Sequence, residues 1–132
     1  MQEVYEFLKK ARVYYLATVD GDKARVRPFG TYSIFEGKLY FQSGASKPVS
    51  KQMIANPSVE LCAFDGPSGT WLRIAAEAYA DERLEAQEAV LNDHPQLKDR
   101  YAVGDGELQV FYLKNATATF EGFAGPIKTV TF

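Results

Sequence analysis

The sequence has few of the residues from which covalent or metal-based frameworks are built. Its 132 residues include one cysteine, Cys62, and one histidine, His94. One thiol cannot form a disulfide within the chain or a multi-thiolate metal site, so packing must stabilise the fold. A single histidine likewise excludes a metal site made of several histidines. We expect Cys62 to be a small buried residue of an apolar strand, and His94 to lie exposed at a helix end.

Long hydrophobic runs and a strong charge imbalance are also absent. No apolar stretch approaches the roughly 20 residues that a membrane-spanning helix needs, and residues 1–6 include acidic side chains and no apolar run. The net charge is −2, from 15 Lys and Arg against 17 Asp and Glu. This balance gives no indication of nucleic-acid binding. Together with the single thiol, these absences predict a cytoplasmic protein with neither membrane nor nucleic acid as a partner.

Motifs of several common enzyme classes are missing as well. There is no Gly-x-Gly-x-x-Gly after a strand and no Walker-type loop, so a Rossmann unit is not expected. No Ser-His-Asp, Cys-His or paired-carboxylate pattern stands out, and no catalytic residue is assigned. The sequence therefore disfavours a hydrolase and favours chemistry supplied by a bound cofactor.

What is present is the composition of one globular domain spanning residues 1–132, with 46% hydrophobic, 14% aromatic and 24% charged residues. A short amphipathic helix is predicted at the start, and two further helices are predicted to begin near Ser46 and Asp81. Strands are predicted at 13–19, 24–35, 38–43, 59–64, 70–80, 108–113 and 116–120, the second interrupted by Pro28 and Gly30. Hairpin-connected strands with short helices predict a closed or nearly closed antiparallel barrel of six or seven strands.

The segment 43–51, Ser-Gly-Ala-Ser-Lys-Pro-Val-Ser-Lys, has the features of an anion site. A strand end, a loop of small residues and a helix N-terminus capped by Ser46 would direct backbone N–H groups and the positive end of the helix dipole to one point. Lys47 and Lys51, four residues apart, lie on one helical face and could bind the same phosphate. The alternative is an ordinary capped helix with solvated lysines.

Further cationic and aromatic side chains occur in pairs on two strands. Strand alternation places Arg25 and Arg27 on one face of the sheet, where an anion would relieve their repulsion; an exposed face opposite acidic neighbours is the alternative. Trp71 and Arg73 share a face in the same way, and could meet a ligand or belong to the core or an interface.

The order of these motifs along the chain resembles the pyridoxamine phosphate oxidase-related family of FMN-binding split barrels. The resemblance rests on four segments that occur in the same order, within nearly the whole chain. They are Arg25-Val26-Arg27-Pro28-Phe29-Gly30, Leu39-Tyr40-Phe41-Gln42 with Ser46-Lys47, Asn56-Pro57-Ser58-Val59, and Trp71-Leu72-Arg73.

The resemblance implies a mostly β fold, a six-stranded antiparallel split barrel of the FMN-binding type, and a homodimer with two FMN molecules at the subunit interface. It also implies a set of cofactor-binding residues. Those along the flavin ring and ribityl chain are Arg25, Val26, Arg27, Pro28, Phe41, Gln42, Ser43 and Trp71; those at the phosphate are Ser46 and Lys47, with Lys51 added by the helical spacing above.

The implied function is that of a small flavoprotein resembling the flavin reductase-like and nitroimidazole reductase-like members. It would pass hydride or electrons from a reduced nicotinamide or similar donor through FMN to a small-molecule substrate. The sequence ends at Phe132 without the basic C-terminal extension of true pyridoxamine phosphate oxidases, so vitamin B6 oxidation is not expected. Two alternatives remain: a flavin or haem carrier or sensor on the same dimeric barrel, and a purely structural dimer with solvated cationic residues.

Overall fold

The computed structural model covers residues 1–132 and contains three α-helices and eight β-strands. The helices are α1 (Gln2–Ala11), α2 (Pro48–Ala55) and α3 (Leu84–Asp93), followed by a 3₁₀ turn at Pro95–Asp99. The strands are β1 (Tyr14–Asp20), β2 (Lys23–Phe29), β3 (Ser33–Phe35), β4 (Lys38–Gly44), β5 (Ser58–Asp65), β6 (Thr70–Asp81), β7 (Leu108–Gly122) and β8 (Gly125–Thr131). The predicted mostly β fold class is confirmed. None of the helices has the length and apolar character needed to cross a bilayer.

All strands form one antiparallel sheet in the order β2-β1-β5-β6-β7-β4-β3, with β8 paired to β7. The two strands at the ends of this order, β2 and β3, are consecutive in the sequence and separated only by residues 30–32. Thr31 in this connection contacts both halves of the sheet. The Tyr14 hydroxyl of β1 donates to its carbonyl oxygen at 2.7 Å, and the Gln42 N–H of β4 donates to its Oγ1 at 2.9 Å. Thr31 therefore links the two halves of the sheet, although the end strands β2 and β3 do not pair and the structure shows no closed barrel.

The interior of the curled sheet holds the main hydrophobic core. Strand β5 shows the alternation that produces it, because Val59, Leu61 and Ala63 are buried while Cys62 and Phe64 face outward. Helix α1 adds buried side chains at i and i+4, and α2 does the same. These four residues are Val4, Leu8, Val49 and Met53. Burying a side chain of this size contributes about 1.5–3 kcal/mol, so both helices are held mainly by their apolar faces.

The C-terminal half contains one strand that was not predicted, and one continuous strand where two were expected. Strand β7 runs unbroken through Lys114 and Asn115, the polar pair at which the sequence pattern suggested a break. There, Asn115 and Ala116 oppose Ala76 of β6 alone, and Asn115 has a φ of 53°. This is a β-bulge, which bends a strand without ending it. Strand β8, absent from the prediction, pairs with the far end of β7.

The predictions for the single histidine and the single cysteine were wrong. His94 is 8% exposed rather than solvated, because the end of α3 packs against the segment before β3. Its Nε2 lies 3.1 Å from the N–H nitrogen and 2.8 Å from the carbonyl oxygen of Tyr32. Cys62 is half-buried and faces outward from β5 rather than into the core. Burial nevertheless raises the pKa of its thiol, so Cys62 is not an activated nucleophile.

A network of charged side chains joins the end of β6 to the β3–β4 turn. The Arg83 Nη2 lies 2.9 Å from Asp81 Oδ2 and 2.6 Å from Glu36 Oε1. The Tyr40 hydroxyl donates to the same Asp81 oxygen at 2.7 Å. Hydrogen bonds from Arg83, with a further one from Tyr40, lower the pKa of Asp81 from 3.8 to about 2. The charged form of Asp81 is therefore stabilised by folding.

Replacing Asp81 with Asn should reduce stability in a pH-dependent way. A carboxylate with a lowered folded-state pKa stabilises the fold above its unfolded pKa and loses this contribution as the pH falls through the folded value. We expect the free energy of unfolding of Asp81→Asn at pH 7 to be lower by on the order of 1 kcal/mol, allowing for solvent screening of the ion pair. The difference in free energy of unfolding between the two proteins should shrink between about pH 4 and pH 2. Urea unfolding at pH 7 and pH 3 measures this difference. Asp99→Asn, at an exposed position, is the control, and a difference independent of pH would contradict the assignment.

Candidate functional site

Strand β4 passes into helix α2 through a three-residue loop, as the sequence predicted. Lys47, rather than Ser46, is the N-cap residue, with an extended backbone (φ −76°, ψ 144°) and without a side-chain capping bond. Its carbonyl oxygen accepts the N–H groups of Ser50 and Lys51 at 3.1 and 3.3 Å. Pro48 is the first helical residue, where its missing N–H removes no helical bond. The one-residue shift releases the Ser46 side chain from capping.

A cavity of about 170 Å³, here called the Lys47 pocket, lies beside this loop. It is formed where the connection after β2 meets the end of β4 and the start of α2. Its lining residues are Pro28, Phe29, Gly30, Thr31, Gln42, Ser43 and Lys47. Two hydrogen bonds within the chain hold the polar side chains of this pocket in place. Gln42 Nε2 donates to the Ser43 carbonyl oxygen at 2.8 Å, and the Ser50 hydroxyl donates to Ser43 Oγ at 2.7 Å. Four predicted site residues therefore lie together.

Ser46, in the loop between β4 and α2, binds a carboxylate of the same chain. Its N–H donates to Glu107 Oε1 at 3.0 Å and its hydroxyl donates to Glu107 Oε2 at 2.7 Å. Gly44 permits this approach, because a Cβ at that position would lie 2.5 Å from Glu107 Oε2. The two Ser46 donors therefore bind a carboxylate of the chain itself, and the anion site expected at this loop stays a prediction.

Lys51 lies on a different cavity from Lys47. It lines a groove of about 590 Å³ between the β1–β2 hairpin and α2. The other lining residues are Val19, Asp20, Gly21, Pro48, Gln52, Ala55 and Asn56. Both lysine side chains are exposed, and in this structure the two do not line one common cavity.

Arg25 and Arg27 lie on one face of β2, as strand alternation predicted, but they have different partners. Arg25 Nε pairs with Asp20 Oδ2 at 3.0 Å in an exposed contact. Arg27 Nη1 donates to the Thr18 hydroxyl oxygen at 2.7 Å, and Nη2 donates to Gln52 Oε1 at 2.8 Å. Burial, and then the nearby positive charge of Arg25, lowers the pKa of Arg27. Arg27 thus connects β2 to β1 and to α2.

The opposite face of the same part of the sheet is apolar and exposed. We call it the outer apolar face; its apolar residues are Tyr15, Val26, Pro28, Cys62, Phe64 and Trp71. The same face also carries an exposed ion pair, in which Arg73 Nη2 lies 2.9 Å from Glu60 Oε2. Val26 is 68% exposed, and Tyr15 and Phe64 are each 53% exposed. Several exposed apolar side chains on one face, here beside a single ion pair, are typical of an interaction site. The predicted site residues of β2 are therefore divided between two faces, with the arginines on one and Val26 and Pro28 on the other.

Two predicted site residues lie away from the Lys47 pocket within one chain. The Phe41 side chain is 1% exposed and packs between Phe29 and Phe111, with ring centroids 5.7 and 5.8 Å away. Trp71 contacts the exposed Phe123 ring at 5.3 Å. In the sheet, Trp71 is opposite Glu121 of β7, whereas Gly44 beside the pocket is opposite Leu108. Trp71 therefore does not line the Lys47 pocket of its own chain.

The sequence analysis did not identify Thr31, Gln52 or Glu107. Thr31 follows the Pro28 and Gly30 interruption, which was the only signal of a special connection there. Gln52 lies one residue after Lys51, on the side of α2 that faces β2. Glu107 is 61 residues from Ser46 in the sequence, and no local motif marks their contact.

Comparisons with known proteins agree with this geometry. A family model described as pyridoxamine 5′-phosphate oxidase matches residues 1–120. The crystal structure of a NimC/NimA family protein from Clostridium acetobutylicum is 41% identical, with a TM-score of 0.94, over 100% of this chain and 93% of that one. General Stress Protein 26 from Bacillus anthracis has a TM-score of 0.78 at 14% identity, over 99% and 97% of the two chains. HupZ from Group A Streptococcus has a TM-score of 0.68 at 14% identity, over 97% and 98%. No curated protein matches the sequence.

Replacing Arg27 with Lys should loosen the attachment of α2 to the sheet. A lysine keeps the positive charge but lacks the planar set of donors that reaches Thr18 and Gln52 together. We expect the free energy of unfolding to fall by about 1–2 kcal/mol, the range for losing charged hydrogen bonds in a partly buried setting. Urea denaturation measures this. Arg25→Lys, in an exposed ion pair, is the matched control and should cost less than about 1 kcal/mol. Equal losses would contradict the role given to Arg27.

Proposed function

The chain belongs to the pyridoxamine 5′-phosphate oxidase family, and from this membership we propose that it is an FMN-binding oxidoreductase that works as a homodimer. Members of the family bind FMN or haem and act as oxidoreductases or carriers, and they are commonly dimeric. The single thiol further favours function in a reducing cytoplasm.

The proposal rests mainly on the donor set at the start of α2. FMN carries a phosphate monoester, and the Ser46 N–H and hydroxyl already bind an oxyanion of similar chemistry in the Glu107 carboxylate. The Lys47 ammonium group and the positive end of the α2 dipole add attraction for a phosphate at the same loop. These residues fit the phosphate of FMN, and we propose that Ser46 and Lys47 bind it, with Lys51 contributing charge from the neighbouring groove.

The flavin ring needs a different environment from its phosphate. Its flat, largely apolar surface suits the outer apolar face, of which Pro28 also lines the Lys47 pocket. Gln42 and Ser43 provide polar groups between these two regions. A second copy of the chain packed on the outer apolar face would cover the ring from water and bring its Trp71 to a site that the same chain's Trp71 does not reach.

The chemistry itself would come from the flavin, which when bound accepts hydride from a reduced nicotinamide or similar donor and passes electrons to a small-molecule acceptor. The protein's part is to bind the phosphate, hold the ring and exclude water. Arg27 acts indirectly in this scheme, because its guanidinium is engaged with Thr18 and Gln52. We propose that it positions α2, and through α2 the Lys47 ammonium group.

FMN is favoured over haem by the state of the only histidine. His94 is 8% exposed and its Nε2 lies within hydrogen-bond distance of the Tyr32 backbone. Because the side chain is buried in the chain, its imidazole is poorly accessible to the iron of a haem. The alternative is a carrier or sensor that binds flavin without turnover. The FMN-loaded enzyme would oxidise a nicotinamide donor, whereas the FMN-loaded carrier or sensor would not.

The first test is flavin binding and its dependence on Lys47. After incubation with FMN and desalting, the protein should retain the visible absorbance bands of flavin. Lys47→Ala should weaken FMN binding roughly tenfold, the size of one lost charge-assisted hydrogen bond, and leave riboflavin binding unchanged because riboflavin has no phosphate. Quenching of flavin fluorescence measures both affinities. Lys9→Ala on the exposed side of α1 is the control.

Two results would contradict the proposal at different levels. A protein that retains no flavin and does not quench its fluorescence is not a flavoprotein. A protein that retains FMN but does not oxidise any reduced nicotinamide or similar donor, with any acceptor tried, is a carrier or sensor rather than an oxidoreductase.

The second test concerns the homodimer. Val26→Asp places a carboxylate at the most exposed apolar position that β2 contributes to the outer apolar face, and should convert the dimer into monomers, because a buried unpaired charge opposes association. Light scattering after size-exclusion chromatography should give twice the 14.7 kDa chain mass for the unsubstituted protein and the single mass for the variant. Leu84→Asp is the control, since Leu84 is 54% exposed on α3, outside this face. A dimer that survives Val26→Asp would place the interface elsewhere.

A further inference from the structure

We infer that Glu107 is an internal competitor of the FMN phosphate at Ser46, and that it lowers the affinity of this protein for phosphorylated flavin relative to flavin without phosphate. The inference rests on the proposed function, because it concerns the same anion site. Under this inference Glu107 weakens FMN binding at the same loop where Ser46 and Lys47 are proposed to bind the phosphate.

The Glu107 carboxylate has one polar partner residue, and that partner is Ser46. Both of its oxygens accept from Ser46, one from the N–H at 3.0 Å and one from the hydroxyl at 2.7 Å. No Lys or Arg side chain lies within ion-pair distance of it, although Lys47 is the next residue along the loop. Its negative charge is therefore not neutralised within the chain.

The backbone beneath Glu107 is held firmly. Asp105 accepts the N–H groups of Glu107 and Leu108 at 2.8 and 2.7 Å. The Glu107 carbonyl oxygen accepts the N–H of Ala45 at 2.7 Å, which fixes the β7 end to the loop before α2. The half-buried Glu107 side chain can rotate about its own torsions while this backbone stays in place. Displacement of the carboxylate by a ligand then requires no rearrangement of the fold.

A phosphate that approaches Ser46 meets two penalties that a neutral ligand does not. Its oxygens must replace those of Glu107 on the same two donors, so no hydrogen bond is gained there. Its charge must also come near an unneutralised carboxylate, and two like charges a few ångströms apart repel appreciably even near a protein surface. Riboflavin has the same ring system without the phosphate and avoids both penalties. Glu107 therefore reduces the advantage that the phosphate gives to FMN.

The experiment compares FMN and riboflavin binding to Glu107→Gln and to the unsubstituted protein by fluorescence quenching. Glutamine removes the charge and keeps one oxygen that can accept from the Ser46 N–H, while its amide NH2 can donate to the Ser46 hydroxyl oxygen. We expect FMN to bind roughly three- to tenfold more tightly to the variant, with riboflavin affinity unchanged. The gain should shrink at high salt, where charge repulsion is screened. Glu88→Gln, an exposed position on α3 without ion-pair partners, makes the same change in net charge and should have no effect.

Repeating the Glu107→Gln comparison in a Ser46→Ala variant distinguishes competition at Ser46 from a general effect of charge. In Ser46→Ala the shared hydroxyl is absent, and the effect of Glu107→Gln on FMN affinity should be smaller than in the unsubstituted protein. Urea unfolding of each variant verifies that the fold is intact. FMN binding that is unchanged or weaker in Glu107→Gln, with normal stability, overturns the inference while leaving the proposed function in place. Absence of flavin binding in every protein overturns the proposed function, and the inference with it.

Discussion

The contacts of Thr31 hold β1 and β4, which belong to opposite halves of the sheet, to the segment between β2 and β3. The candidate site depends on these contacts. Tyr14 of β1 and Gln42 of β4 belong to opposite halves of the sheet, yet both donate to this one residue. Burial raises the pKa of Tyr14, so its hydroxyl keeps the proton that it donates. These two hydrogen bonds, together with the packing of Phe29 against Phe41, hold the end of β2 beside the end of β4. The Lys47 pocket is the space between them.

Most polar groups around this pocket are satisfied within the chain. Arg27 is bound to Thr18 and Gln52, Ser43 to Ser50, and Ser46 to Glu107. This agrees with the general rule that buried polar groups find partners, and it gives the protein an ordered site before any ligand arrives. A ligand at Ser46 then exchanges partners with a group that is already bound. Affinity at such a site depends on the difference between two sets of hydrogen bonds rather than on the number of new ones.

Strand β2 links the anion site to the outer surface. Its alternate residues serve two purposes, since Arg27 attaches α2 on one side while Val26 and Pro28 contribute to the outer apolar face on the other. A ligand with a charged end and a flat apolar ring matches this division. Trp71 does not line the Lys47 pocket of its own chain, and this position fits the proposed homodimer, in which the partner's Trp71 would approach the site.

Four features could be predicted from the sequence: the mostly β class, the helix after β4, the common face of Arg25 and Arg27, and the cationic loop at Ser46 and Lys47. They follow from periodicity, capping and turn chemistry, which act between residues close in the chain. Contacts between distant segments instead place Lys47 and Lys51 on different cavities, engage Arg27 with Gln52 and bring Glu107 to the Ser46 donors. They also bury His94 and carry β7 through its bulge. Each of these depends on how distant segments pack and pair with one another, and no local pattern of residues specifies those long-range contacts.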